Sequence, residues 1–456
     1  MARFPIKAWL QYQWRKLLKR LRWRATSSAH ARLTLVSQFF PPDFAATGQL
    51  LNDLTEHLAS RGLQVQVLTG MPAYAYTTTK AYRLEFQPNR CIRRTRASRL
   101  WPSRIRGRAI NGLMYCLRIS LRLLRFSRRG DLLLYTTEPP YLPILAWLFF
   151  RLTRTPYILI LYDLYPDVLV ELGVLTAAHP LVRIWRRLNG WAFADATEII
   201  VLSEPMVERV SAEVPQAKAK ISVIPSWADP EVIVPRSKAN NWFVQKHKLN
   251  NQFVVLYSGN QGRCHDLITV IAAALILRHD HDVRFVFIGN GNQHSRIENL
   301  VHELCLTNCL FLPYQELSDL PFSLAAADLA LVTLGLEARG LVAPSKLYGH
   351  LATATPIAAI TPHNSYLRPL LEENRCGRWF ANGDAQGLAS WILQLKADPA
   401  LAKTLGNAAR ELLLRTATPK ITTDQYQKLI NSHLKKSYSP LMTDYSKGLY
   451  NKKMIY

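Results

Sequence analysis

The chain has 456 residues, 49% of them hydrophobic, and a formal net charge of +25. Such a length and apolar fraction exclude a disordered or minimal single-domain protein and accommodate two domains of ordinary size. The charge excludes an acidic scaffold and points to a polyanionic partner, either nucleic acid or an anionic membrane surface.

Residues 1–30 carry Arg3, Lys7, Arg15, Lys16, Lys19, Arg20, Arg22 and Arg24 without any acid, and Arg90–Arg129 is rich in arginine and free of Asp and Glu. In LQYQWRKLLKRLRW (Leu10–Trp23) and YCLRISLRLLRF (Tyr115–Phe126) the cations alternate with Trp, Leu, Ile and Phe. That pattern suits a helix lying in a bilayer interface, its basic side chains reaching the head groups. With no nucleic-acid module signature in view, an anionic membrane surface is favoured over nucleic acid. The start MARFPIKAWL lacks the unbroken apolar core and cleavage site of a signal peptide. The most apolar window, Tyr141–Phe150, is about half the length of a spanning helix. The expectation is a cytoplasmic protein peripherally associated with the inner face of the plasma membrane. Its six cysteines (Cys91, Cys116, Cys264, Cys305, Cys309, Cys376) form no CxxC pair and read as buried, reduced thiols.

In chain order, RLTLVSQFF (Arg32–Phe40) is a buried strand, followed by PPDFAATGQL (Pro41–Leu50). Apolar residues then return at Leu50, Leu51, Leu54 and Leu58, a helical spacing, before the strand LQVQVLTG (Leu63–Gly70). Together they form a right-handed βαβ unit whose Gly48 would let a ligand approach the backbone. Residues 71–130 read as a basic insertion of loops and one or two amphipathic helices. DLLLYTT (Asp131–Thr137), YILILYD (Tyr157–Asp163) and TEIIVLS (Thr197–Ser203) are three further strands. In DLYPDVLVELG, at a strand's carboxyl end, Asp163 and Asp167 are candidates for a metal ligand or a base. Capping of the helix begun by Pro166 is the competing role, favoured for Asp167.

KISVIPSWADPEVIVP (Lys220–Pro235) closes the first half, and FVVLYSGNQGRCHDL, VRFVFIGNGNQ, CLFLPYQ, ADLALVTL and PIAAI restart the α/β rhythm. The chain thus divides into a basic amphipathic segment 1–30, an α/β domain 31–230 with its insertion 71–130, a second α/β domain 231–420, and a C-terminal helix and tail 421–456. Both domains are expected to be doubly wound.

Chemistry is expected where loops leave the carboxyl ends of parallel strands. Gly259, Asn260, Gly262 and Arg263 follow the first strand of the second domain, and Gly289 follows another, with Tyr314 beyond a third. The two glycines in the first loop free its backbone to bend round a ligand, and Arg263 offers a planar fork to phosphate oxygens. The stretch LEARGLVAPSKLYGHLATATP (Leu336–Pro356) places Ser345 and Lys346 at a helix start, which favours an anion. An ordinary Ser-capped surface helix with a solvated lysine is the competing reading. Together, Arg263 and Lys346 can hold a diphosphate and stabilise it as a leaving group. His265 is either a ligand-edge residue or a polar helix-start residue. His279-Asp280-His281-Asp282 falls in a polar turn and reads as solvated, so no metal site is expected.

Taken in order, FFPPDFAATGQLLNDLTEHLASRGLQVQVLTGMPAY, LYDLYPDVLVELG, LYSGNQGRCHDL, FIGNG, APSKLYGHLATATPIAAI and ENRCGRWFANGD resemble the family 4 glycosyltransferases. The likeness is to the branch of fucosamine- and colanic-acid-type enzymes of exopolysaccharide and O-antigen assembly. The resemblance implies a GT-B fold, two Rossmann-like domains facing across a cleft, the second holding a nucleotide-sugar diphosphate and the first an acceptor. It implies Lys346 and Arg263 as diphosphate cations, a pocket shaped by Gly259, Gly262 and Ser345, Gly48 near the donor, no bound metal or other cofactor, and retention of anomeric configuration. The acceptor it implies is a lipid-linked saccharide, with Asp163 orienting or deprotonating its hydroxyl. Many members carry two glutamates separated by seven residues in this region, where this chain has Leu341 and Gly349. That departure keeps a non-catalytic relative of the same pathway, or a nucleotide-sugar epimerase, as alternatives.

Overall fold

The structure, a computed structural model, describes residues 32–43, 45–72, 81–98, 100, 105–128, 130–338 and 340–450, with Ile105, Glu337 and residues 435–450 described by their backbone alone. The predicted amphipathic segment 1–30 lies outside them. Eight strands, β1 (Arg32–Val36), β2 (Gln64–Gly70), β3 (Leu84–Gln87), β4 (Arg90–Thr95), β5 (Asp131–Thr136), β6 (Tyr157–Leu161), β7 (Glu198–Val201) and β8 (Ile221–Val223), form a sheet in the order β3-β4-β2-β1-β5-β6-β7-β8. All pairs are parallel except β3 with β4. A second, wholly parallel sheet holds β9 (Phe253–Ser258), β10 (Val283–Ile288), β11 (Cys309–Leu312), β12 (Leu329–Thr333), β13 (Ile357–Ile360) and β14 (Gly377–Phe380), in the order β11-β10-β9-β12-β13-β14. Helices cover both faces, so the central strands β1, β5, β6 and β12 are buried along their whole length, and β6 reads as an unbroken apolar run, YILIL.

Strand order reverses between β1 and β5 in the first sheet and between β9 and β12 in the second. Crevices open at these switch points, beyond the carboxyl ends of the strands. The two crevices face each other: Asp163 bridges antiparallel to Val342, and Leu164 N–H donates to the Leu341 carbonyl at 3.0 Å. Leu341 belongs to the second domain but is 1% exposed within the first domain's apolar core. This two-domain arrangement is the GT-B fold.

Two features depart from the expectations, and a third shows where the expected C-terminal helix packs. Part of the basic insertion is sheet: β3 and β4 form a hairpin on β2, and β4 reads RCIRRT. Arg90 and Arg94 in it are buried. Arg90 donates to Asn52 O (3.1 Å) and Thr55 Oγ1 (3.0 Å); Arg94 donates to Pro41 O (2.6 Å) and Tyr82 O (2.9 Å) and pairs with Glu85. These cations therefore hold the fold and are not available to a polyanion. The thiols are not uniformly buried either, since Cys305 is exposed. Finally, the helix Pro419–Tyr450 returns to the first domain, where Tyr426, Ile430 and Leu434 enter its core and Tyr426 meets Trp227 edge-on at 6.2 Å.

Among the described residues no helix is long and apolar enough to cross a membrane, and no group of three metal-ligating side chains converges. His279 to Asp282 lie in the expected turn, where Lys396 Nζ meets Asp280 at 2.6 Å and Asp282 at 3.2 Å.

Candidate functional site

The second domain's half of the site is built by two glycines. Gly259, after β9, has φ +130°, and Gly289, after β10, has φ +125°; both lie in the left-handed half of backbone space. A Cβ at Gly289 would lie 2.2 Å from the Gly259 carbonyl oxygen, so the two loops back onto each other as only glycine permits. Hydrogen bonds fix the pair: Gln261 N–H and Tyr314 Oη both donate to Asn290 O (2.9 and 3.0 Å), and Tyr257 Oη donates to Asn260 O (2.7 Å). Gln293, not singled out from sequence, donates from Nε2 to Gly262 O (2.6 Å) and His265 O (2.9 Å) and pins the rest of the loop.

Lys346, the first residue of the helix Lys346–Ala352, turns inward toward these loops. Its Nζ lies 3.7 Å from the centre of the Tyr257 ring, and a Cβ at Gly259 would be 3.8 Å from it. Although the residue as a whole retains some exposure, the ammonium is out of contact with water and has no hydrogen-bond partner. Burial pushes its pKa well below the usual lysine value. Ser345 makes no side-chain capping bond, and the first turn closes locally through Leu347 N–H to Pro344 O (3.3 Å) and Tyr348 N–H to Ser345 O (3.2 Å). The competing reading, a Ser-capped surface helix with a solvated lysine, is therefore not what forms.

Two histidines flank the lysine. His265 Nδ1 is 2.7 Å from Thr333 O, with its ring edge-on to Tyr257 at 6.0 Å; His350 is fully buried with both ring nitrogens unpartnered. Burial first, and the nearby Lys346 charge second, lower each imidazole to about 3. Both are therefore neutral at physiological pH. Arg263 is exposed, and its Nε donates to Asn292 Oδ1 at 2.7 Å, which holds it on the outer rim. Lys346, Gly259 and His265 are thus gathered round Tyr257, while Arg263 stands at the edge.

Facing them, the first domain presents carboxylates. Asp163 follows β6, and burial lifts its pKa to about 6. Glu138, in the loop after β5, is lifted to about 7 by burial, partly offset by a hydrogen bond from Thr47 Oγ1 (2.6 Å) and reinforced by the charges of Asp163 and Asp43. A cavity of about 130 Å³ lies between the domains, with Thr47, Tyr162 and Asp163 on one side and Ala343 and Ser345 on the other. Glu138 was missed from sequence; its signal was a lone acid at a strand's carboxyl end, in TTEPP.

Other expectations are corrected. Gly48 faces the chain itself: a Cβ there would lie 3.3 Å from the backbone of Phe39 and Phe40, so the small residue serves packing of the preceding loop. Asp167 is buried as the partner of Arg186, whose Nε donates to it at 2.9 Å, and Pro166 occupies the cap position. Asp266 accepts from Thr269 N (3.0 Å), Thr269 Oγ1 (2.7 Å) and Asn382 Nδ2 (2.8 Å), and so anchors the start of the helix Ile268–Ile276. The absent glutamates also find a physical account. Position 341 is an apolar interdomain contact, and a side chain at Gly349 would meet Leu324 Cδ1 at 2.9 Å.

This geometry can bind a polyanion at a buried cation and accept a proton from a hydroxyl in the facing cavity. Residues 46–227 match the glycosyl transferase 4-like domain and residues 239–412 the glycosyl transferases group 1 domain. The chain is 24% identical over 339 residues to a probable glycosyltransferase, WbjE, of Pseudomonas aeruginosa, spanning 74% of this chain and 83% of that one. It is 38% identical over 103 residues to a putative colanic acid biosynthesis glycosyl transferase, WcaI, of Escherichia coli, spanning 23% and 25% respectively. Among solved structures, HepE of Anabaena in complex with UDP-glucose superposes with a TM-score of 0.66 at 16% identity, covering 88% of this chain and all of that one.

Proposed function

The chain belongs to the family 4-type glycosyltransferases, and on that premise we propose that it moves a sugar from a nucleotide-diphosphate donor to a lipid-linked saccharide. The setting is an anionic membrane surface on the cytoplasmic side, in assembly of a bacterial surface polysaccharide. The observation that carries this reading is the unpartnered ammonium of Lys346, buried over Tyr257 and against the Gly259 loop. A buried charge without a partner is costly. A donor diphosphate supplies the partner, and Arg263 on the rim adds a second contact.

In the transfer, the bond from the anomeric carbon to the diphosphate oxygen breaks, and a bond from the acceptor oxygen forms. The departing diphosphate gains negative charge, which Lys346 stabilises more in the transition state than in the ground state. The acceptor proton goes to the leaving diphosphate oxygen in the retaining course proposed here. Asp163, beside Glu138, accepts a hydrogen bond from the acceptor hydroxyl and orients it for that transfer. HepE holds a UDP-sugar in the same fold, which supports a nucleotide-sugar donor here.

A thermal-shift series tests the donor half. A nucleoside diphosphate bound only to the native state at about 100 times its Kd should add about 2.7 kcal/mol of stability. Comparing UDP with GDP identifies the base, and no shift with UDP, GDP or dTDP contradicts the reading.

A further inference from the structure

We propose that the outer face of three helices of the first domain is the surface that docks on an anionic bilayer. The helices are Ile105–Phe126, Leu142–Thr153 and Pro180–Asp195. This rests on the membrane reading above and deepens it by assigning the contact. The three connect β4 to β5, β5 to β6 and β6 to β7, all stepping in one direction across the sheet. Right-handed crossovers therefore lay them side by side on the same face.

Each buries one side and leaves large apolar groups on the other. In the first helix Tyr115, Ile119 and Leu123 enter the core. Leu113, Leu117, Leu121 and Leu124 recur at intervals of three and four on the opposite side, and Leu121 is 69% exposed. The second helix exposes Leu148 and Leu152 (79%), and the third exposes Leu181, Ile184 and Trp191. Trp191 stacks on Trp147 at 5.2 Å, which joins the second and third helices into one surface. An apolar face of this extent on a soluble domain marks an interaction site.

Charge selects the occupant. Arg125, Arg151, Arg154, Arg183 and Arg187 are exposed on these helices or at their ends. Arg187 lies over the Trp191 ring at 5.3 Å and Arg154 over Phe150 at 5.7 Å. Their stems follow the apolar surface while their heads reach outward, the arrangement that suits a headgroup layer. The acid of the three helices, Asp195, accepts from Trp147 Nε1 at 3.0 Å and lies 3.8 Å from Arg151 Nη1, which leaves the other four arginines without an acid from these helices. A second copy would set two arginine-rich faces against each other, whereas an anionic leaflet complements them. The first helix also passes close to the cleft: a Cβ at Gly112 would lie 2.9 Å from the Pro139 side chain, next to Glu138. A bilayer under this face thus brings a membrane-anchored acceptor to the carboxylate side of the site.

The test is co-sedimentation of the full chain with phosphatidylcholine vesicles containing about one third phosphatidylglycerol. Wild type is compared with Leu117→Glu/Leu121→Glu/Leu152→Glu, in which each altered side chain is exposed. The variant should bind at least about tenfold more weakly, with its far-UV circular dichroism and Tm unchanged as proof that the altered first domain is folded. Wild-type-like vesicle binding by the variant overturns the assignment while leaving the membrane reading standing, and moves the contact to residues 1–30 if their deletion abolishes binding. Absence of vesicle binding by wild type overturns both. A wild-type dimer that the variant converts to monomer, with vesicle binding unchanged, assigns the face to a second copy instead.

Discussion

Replacing Lys346 by alanine should lower sugar transfer roughly 100- to 1,000-fold, the loss typical of removing one preorganised group from a developing oxyanion. The remaining cation, Arg263, is exposed and tied to Asn292, so it acts through more solvent and compensates little. The fold should not suffer. Lys346 Nζ has no hydrogen-bond partner, and removing a buried polar group that lacks one is neutral or stabilising. Unchanged or higher Tm together with lost transfer is the expected pair of results; near-normal turnover would remove Lys346 from the diphosphate.

The same residue sets a pH dependence. In the free protein its pKa is depressed by burial, so between that value and the ordinary lysine value of about 10.4 the amine is largely neutral. A bound diphosphate raises the pKa, and binding then takes up a proton. Nucleotide affinity should therefore fall as pH rises through this window, by up to about tenfold per pH unit. In Lys346→Met that slope should vanish.

The second large effect concerns stability. Arg32 and Asp131 stand opposite each other in the β1–β5 register, each side chain 3% exposed, and pair at 2.6 Å. Arg32 also donates to Gln66 Oε1 (3.1 Å) and Phe126 O (2.7 Å), and Asp131 accepts from Arg128 N (2.9 Å). Asp131→Ala strands a buried guanidinium and should cost about 3–5 kcal/mol, a fall in Tm of roughly 10 °C for a domain of this size. Replacing both partners, as in Arg32→Met/Asp131→Leu, should recover most of it, because no uncompensated charge remains. The pair lies at the strands' starting ends, away from the cleft, so transfer per folded molecule should persist. Equal Tm for Asp131→Ala and wild type, measured by calorimetry, would contradict this account.

How far the residues announced all this depends on the range of the interactions. Runs such as YILIL and LALVT are buried on both faces, and their apolar continuity is a local signal. RCIRRT can lie buried as a strand because carbonyls of Pro41 and Tyr82 and the carboxylate of Glu85 receive Arg94, partners that neither composition nor periodicity reveals. The loop glycines and Lys346 were legible from their place after strands. The partnership of Arg263 with Lys346 was drawn too tightly, since Asn292 holds the arginine at the rim. Glu138 carried only the signal of a lone acid after a strand, because Thr47, which donates to it, lies 91 residues away in the chain. Ser345 looked like a cap, yet the turn it opens closes on Pro344 O without its hydroxyl.

The most direct measurement is nucleoside diphosphate release by purified full-length protein, from a panel of UDP-, GDP- and dTDP-sugars, with and without a polyprenyl-diphosphate-linked saccharide. Release from one donor only when acceptor is present, with stoichiometric extension of the acceptor by one sugar, is the expected result. Donor consumed without acceptor, as an epimerase would do, or no donor consumed with any lipid-linked saccharide, would contradict it.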